Sequence, residues 1–186
     1  MFGTCLNIAH IQPSSQIYGP GDRFVIWLQG CTLACKGCWN TAMWPHKANQ
    51  LIEREELIKE IIAERDIAGI TLLGGEPLQQ TNNLYWLLES LSESSLDVML
   101  YTGYELTELA SMPVAQQVLA HVDILVAGRY REELRNPSLL WRGSTNQKIH
   151  FLSPKYDRTI IKECNQVEIH IDEFGGLVEL GYPEEC

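Results

Sequence analysis

The sequence predicts an α/β fold, a partial (β/α) barrel of mainly parallel strands with a small C-terminal β extension. Short β-rich runs at 24–28, 69–73, 97–101 and 123–127 alternate with stretches whose apolar residues recur at helical spacing. Such alternation favours parallel strands joined by right-handed crossovers, which place the helices on one side and curl the sheet. The loops that follow the first three runs carry Cys31 to Cys38, Gly74 to Pro77 and Thr102-Gly103. They gather at the carboxyl end of the sheet, where α/β proteins place ligand chemistry.

Each element has its own justification. Gly19-Pro-Gly-Asp22 is a turn feeding the first run, which Gly30 ends. Leu57, Ile58, Ile61 and Ile62, with Glu and Lys between them, predict a helix over 51–65. The second run stops at Gly74-Gly-Glu-Pro77, where two Gly and a Pro forbid continuing a helix or a ladder. Leu84, Leu87, Leu88 and Leu91 predict a helix over 82–94, and the third strand ends at Thr102-Gly103. Residues 105–120 read as helix interrupted near Pro113, before the fourth strand. Beyond Arg129 the chain is loop-rich and basic-leaning, with a short run at 148–152. A β-hairpin is expected from 167–171 and 177–180 around Phe174-Gly-Gly176. There is no solenoid repeat and no low-complexity tract.

The 186 residues suit one domain, 1–186, and 45% hydrophobic residues supply a core. Lys and Arg number 14 against 24 Asp and Glu, a net charge of −10, which argues against extended nucleic-acid binding. Six Cys are too few for a disulfide scaffold and fit a reducing, cytoplasmic setting. The N-terminus lacks a basic region followed by an apolar stretch, and no apolar segment nears the roughly 20 residues of a membrane helix.

Cys31, Cys35 and Cys38 lie within eight residues, straight after an apolar strand. Four-iron clusters usually take four Cys ligands, so three leave one iron open to a ligand from outside the protein. A zinc knuckle or plain buried thiols are the alternatives. His46, eight positions past Cys38, fits no usual zinc spacing. Gly74-Gly-Glu-Pro77 reads equally as a strand-ending turn or, beside that loop, as a ligand grip.

With these motifs, Cys31-x3-Cys35-x2-Cys38 and Gly74-Gly-Glu-Pro77, the chain resembles the radical S-adenosylmethionine superfamily. Gly19-Pro-Gly-Asp-Arg-Phe24, Tyr101-Thr-Gly-Tyr104 and Trp141-Arg-Gly-Ser-Thr-Asn-Gln147 narrow the resemblance to the activating enzymes of glycyl-radical proteins. It covers about 17–150, leaving 151–186 as an extension, and it departs where Ala127-Gly128 stands in place of an Asp-Gly pair. The resemblance implies a [4Fe-4S] cluster held by Cys31, Cys35 and Cys38, with S-adenosyl-L-methionine on the open iron. Electron transfer from the reduced cluster would yield methionine and a 5′-deoxyadenosyl radical.

Gly74, Gly75, Glu76 and Pro77 are then the expected cofactor contacts. Gly75 lets backbone approach the cofactor, and Glu76 accepts a hydrogen bond from its ammonium. Thr102 and Gly103 are expected near the ribose or carboxylate, Trp39 near the cluster or adenine, and Asn40 near a cluster sulfur. No catalytic residue beyond the cluster is expected.

The partners implied are a glycyl-radical enzyme, such as an anaerobic ribonucleotide reductase, and a flavodoxin- or ferredoxin-type electron donor. Radical modification of a small molecule, nucleotide or peptide under a C-terminal lid is the alternative, and a non-enzymatic iron–sulfur or zinc module a further one. Arg129, Arg131, Arg135 and Arg142 form a basic group that would meet a partner, the cofactor carboxylate or only solvent. Cys5, Cys164 and Cys186 read as incidental, and no His receives a role.

Overall fold

The computed structural model describes residues 2–161, 165–171 and 174–181. In chain order these form β1 (Cys5–Ser15), β2 (Arg23–Leu28), β3 (Gln50–Glu53), α1 (Arg54–Ala63), β4 (Gly69–Gly74) and α2 (Thr81–Ser90). There follow β5 (Asp97–Thr102), α3 (Leu106–Leu109), α4 (Pro113–Leu119), β6 (Ile124–Ala127), β7 (Lys148–Phe151), β8 (Val167–Ile171) and β9 (Leu177–Gly181). Cys164 and Cys186 lie outside the described residues.

Seven strands form one sheet in the order β3-β1-β2-β4-β5-β6-β7, while β8 and β9 pair separately as the expected antiparallel hairpin. The four central strands run parallel, with Trp27 beside Leu73 and Leu100 beside Leu125. The flanks are antiparallel, β1 against both β2 and β3, and β7 against β6. The sheet is therefore mixed around a parallel centre.

Three places depart from the sequence reading. β1 was not expected because Pro13 interrupts its pattern; the strand absorbs it where its register with β2 shifts between Gln12 and Ser15, and a bulge is where a strand tolerates Pro. The helix expected from residue 51 starts at Arg54, because Leu51 and Ile52 extend β1's ladder as the edge strand β3. The α2 helix ends at Ser90, and Leu91, still buried, continues its apolar face into a turn.

Alternation along the central strands divides the core in two. Phe24, Ile26, Leu28, Ile70, Leu72, Leu100 and Leu125 face the helices and meet Leu57, Ile61, Leu84, Leu87 and Val118. Val25, Trp27 and Leu73 point to the other face, where Ile17 and Leu180 cover them. Further along that face Met99, Ile124 and Val126 pack against Trp141, Ile149 and Phe151. β2 is buried along its whole length, as a central parallel strand with both faces covered should be.

The amino ends of the central strands are locked by charge. Arg23, wholly buried, pairs with Asp97 at 2.6 Å and donates to the Thr71 hydroxyl and the Ile70 carbonyl, each at 2.6 Å. Tyr156 adds a hydroxyl donor to Asp97 at 2.6 Å. The Gly19 turn serves this network, since a Cβ on Gly19 would stand 2.4 Å from Arg23 Cδ. The opposite, carboxyl ends of the strands are left to the loops.

Candidate functional site

The cysteine loop leaves β2 and is held by its backbone. Gly30 N–H donates to Met43 O at 2.8 Å, Cys31 N–H to Trp44 O at 3.0 Å and Cys38 N–H to Cys35 O at 3.1 Å. Gln79 clamps it from below: its Oε1 accepts from Thr32 N–H at 3.2 Å, and its Nε2 donates to the Thr32 hydroxyl at 2.7 Å. The three thiols are half-buried and line one cavity of about 510 Å³, within the range of small-molecule sites. Burial pushes the Cys31 and Cys35 thiols above their ordinary pKa, so a metal would have to draw out the thiolates it binds. Among the described residues, no three His, Cys, Asp or Glu side chains converge on the position of a single metal ion.

The turn after β4 docks directly on this loop. Gly75 N–H donates to Leu28 O at 2.8 Å and Glu76 N–H to Gly30 O at 2.9 Å. A Cβ on Gly75 would lie 2.4 Å from the Gly30 carbonyl oxygen, so the missing side chain admits the cysteine loop's own backbone. Glu76, 1% exposed, takes the Leu78 N–H at 3.0 Å and the Thr102 hydroxyl at 2.8 Å on one oxygen, and the Gly103 N–H at 2.8 Å on the other. Burial pushes its pKa up to about 7, against the pull of those three donors and of nearby Arg129. A carboxylate has about four acceptor positions, so one remains on the oxygen that Gly103 holds.

Of the residues expected here, Cys31, Cys35, Cys38, Trp39, Gly74, Gly75, Glu76, Thr102 and Gly103 all line the same cavity. Trp39 is 49% exposed. Pro77 stands apart: it is buried at the first position of a 3-10 turn that Glu76 caps, a place suited to a residue without N–H. Asn40 also lines the cavity, and its side-chain amide donates to Gly74 O at 3.4 Å. The position of the missing Asp, Ala127, is packed into the helix-side core.

The basic group divides. Arg129 chelates Glu108 with two bonds, 2.6 and 2.8 Å, and that guanidinium holds the Glu108 carboxyl down at about 2. Arg142 instead lines the cavity. The walls to which the sequence assigned no role include His10, Tyr18, Trp27, Tyr101 and Trp141, and the hairpin's Val178, Glu179, Leu180 and Gly181. The hairpin is docked there by Gly181 N–H on the Tyr18 hydroxyl at 2.8 Å and by the Ser15 hydroxyl on Glu168 at 2.6 Å. Alternation in β2 and β5 carried a signal for Trp27 and Tyr101; His10 stands on β1 and Val178 to Gly181 on β9, while Tyr18 and Trp141 come from loops.

A model for a 4Fe-4S single cluster domain matches residues 17–150. The chain is also 35% identical over 153 residues to the anaerobic ribonucleoside-triphosphate reductase-activating protein of Haemophilus influenzae, covering 78% of this chain and 97% of that one. The Escherichia coli K12 protein of the same description is 32% identical over 155 residues, 79% and 99% of the two chains. That of phage T4 is 32% identical over 153 residues, 77% and 93%.

Proposed function

The chain belongs to the family of anaerobic ribonucleoside-triphosphate reductase-activating proteins, and from that premise we propose that it installs a glycyl radical on such a reductase. The observation that carries this reading is the meeting, in one cavity, of three half-buried cysteines with the Gly74–Glu76 turn and the Thr102-Gly103 strand end. Three thiols on one loop are the donor set of a [4Fe-4S] cluster with one iron left without a protein ligand. Reduced by an external donor and with S-adenosyl-L-methionine bound beside it, that centre would supply one-electron cleavage of the sulfonium to methionine and a 5′-deoxyadenosyl radical, the species able to take the α-hydrogen of a backbone glycine.

The protein's own residues fasten and seal. Cys31, Cys35 and Cys38 hold the cluster. The free acceptor position of Glu76 would receive the ammonium of the cofactor, while its other bonds keep Thr102 and Gly103 in place. Gly74, Thr102 and Gly103 offer close approach along the strand ends, and Trp39 shields the mouth. Trp27, Leu73 and Tyr101 keep water from the floor. Pro77 acts by fixing the turn rather than by touching the cofactor.

The reading extends to the whole chain. We take 1–186 as one radical S-adenosylmethionine domain, with its core over about 17–150 and the extension after it. Its sheet is taken to curl as a partial barrel around the cavity. The setting is a reducing cytoplasm with a flavodoxin- or ferredoxin-type donor, and the charge of −10 speaks against extended nucleic-acid binding. No helix among the described residues is long and apolar enough to cross a membrane.

The test is anaerobic mixing of the reconstituted chain, S-adenosylmethionine and a reductant with the reductase. A glycine-centred doublet in the electron-spin-resonance spectrum is expected, and cofactor cleavage without it would count against the reading. The hairpin's place in the cavity wall favours a second reading, a small-molecule substrate held under that hairpin. In that case a chain cut after residue 165 would lose turnover of the substrate and keep uncoupled cleavage.

A further inference from the structure

The segment Trp141-Arg-Gly-Ser-Thr-Asn-Gln147 separates into two parts. Gln147 Oε1 accepts from Gly143 N–H at 2.9 Å and Ser144 N–H at 3.1 Å, while its Nε2 donates to Gly128 O at 3.1 Å. Asn146 donates to Arg129 O at 2.8 Å, and the buried Ser144 hydroxyl accepts from Arg131 N–H at 3.2 Å. These three side chains tie the loop to the carboxyl end of β6.

Trp141 and Arg142 do no such tying. Trp141 holds a φ of +59°, a left-handed conformation rare for an aromatic residue, which presses its ring onto the Met99, Ile124 and Val126 cluster. Its indole Nε1 is sealed from solvent and has no acceptor among the described residues. Arg142 is half-buried and reaches Gln147 O at 3.3 Å through Nη1, and among the described residues its Nε has no acceptor. Among the described residues no carboxylate pairs with it, in contrast to Arg23 and Arg129. Burial alone pushes its pKa down. A guanidinium drawn partly out of water with one neutral acceptor for its five N–H groups is under-satisfied, and a ligand that brings acceptor oxygens to it reduces that cost.

Both side chains line the cavity that holds the three cysteines. They stand in the loop between β6 and β7, and the cavity they line is also lined by the turn after β4. Glu179 and Glu76 share the cavity with Arg142, so an uncharged acceptor meets less repulsion there than an anionic one.

Resting on the activase reading, we propose that Arg142, with Trp141 beside it, is a subsite for backbone carbonyl oxygens of the protein segment that carries the target glycine. Carbonyls flanking a glycine have no side chain to hold them off the wall, so the guanidinium can take two of them.

The test uses the chain with its cluster reconstituted and a fluorescent peptide copying the glycine-bearing segment of the reductase, with binding followed by anisotropy. Arg142→Gln should weaken the peptide about tenfold or more, the scale of hydrogen bonds to a charged donor, and Arg142→Lys should recover part of the loss. Affinity for S-adenosylmethionine, from equilibrium dialysis on the same samples, is the comparison, and melting curves report folding. Equal peptide affinity in wild type and both variants overturns the proposal. So does a loss confined to S-adenosylmethionine, or a wild-type chain that does not bind the peptide. Arg142-dependent peptide binding without a glycyl doublet would retain the subsite and reject the activase reading.

Discussion

Glu76 shows how one buried carboxyl can join two loops. Its oxygens bond to the turn after β4 and to the end of β5, and it is raised to about 7 chiefly because burial penalises the charge. Unfolded, it would titrate near 4.5. Between those values the unfolded chain has lost a proton that the folded chain keeps, so stability from this group falls as pH rises from about 4.5 to about 7. The loss is on the order of 3 kcal/mol. Urea titrations of the chain without cofactor should show this decline, and Glu76→Gln should flatten it; an equal slope in both proteins would contradict the pKa reading. Cys35→Ser, by contrast, should leave the fold near its original stability and lower the iron retained after anaerobic reconstitution.

At the scale of elements, the site depends on loops packed backbone to backbone. Gly75→Ala puts a Cβ 2.4 Å from the Gly30 carbonyl oxygen, so the cysteine loop must move. We expect a cost of about 1–3 kcal/mol in denaturant unfolding, together with weaker iron retention. The hairpin is held by Leu180 on Ile17, Val25, Trp27 and Leu73 and by the Tyr18 hydroxyl. Leu180→Ala should therefore open it locally, with amide exchange in β8 and β9 rising well before that of β2 and β4.

These elements also show what the sequence could disclose. The parallel strands were legible because a strand buried on both faces must be a continuous apolar run, as in Phe24-Val-Ile-Trp-Leu28. β1 was hidden because its Pro13 is acceptable only where a register shift exists, and a register is a property of two strands. Cys31, Cys35 and Cys38 announced themselves by spacing. Arg142 stood out only as one of a basic group with Arg129, Arg131 and Arg135, because whether an arginine is paired, as Arg129 is with Glu108, depends on a chain segment far away in sequence.

For the whole molecule, the two ends of the parallel strands divide the work. Arg23, Thr71 and Asp97 lock β2, β4 and β5 at their amino ends, leaving the carboxyl ends free to hold loops with strained turns and buried charge. Removing one partner leaves the other charge buried alone, so Asp97→Ala should cost about 3–5 kcal/mol in urea unfolding. A loss within the range of a surface ion pair, about 1 kcal/mol or less, would mean that the lock matters little.

The claim beneath all of this is that three cysteines hold a cluster able to cleave a sulfonium cofactor placed next to it. The direct measurement is 5′-deoxyadenosine released by the anaerobically reconstituted, chemically reduced chain given S-adenosylmethionine. The account predicts release from the wild-type chain and none from chains in which Cys31, Cys35 or Cys38 is replaced by Ser. No release from a wild-type chain loaded with iron and sulfide, or undiminished release from the Ser variants, would contradict it.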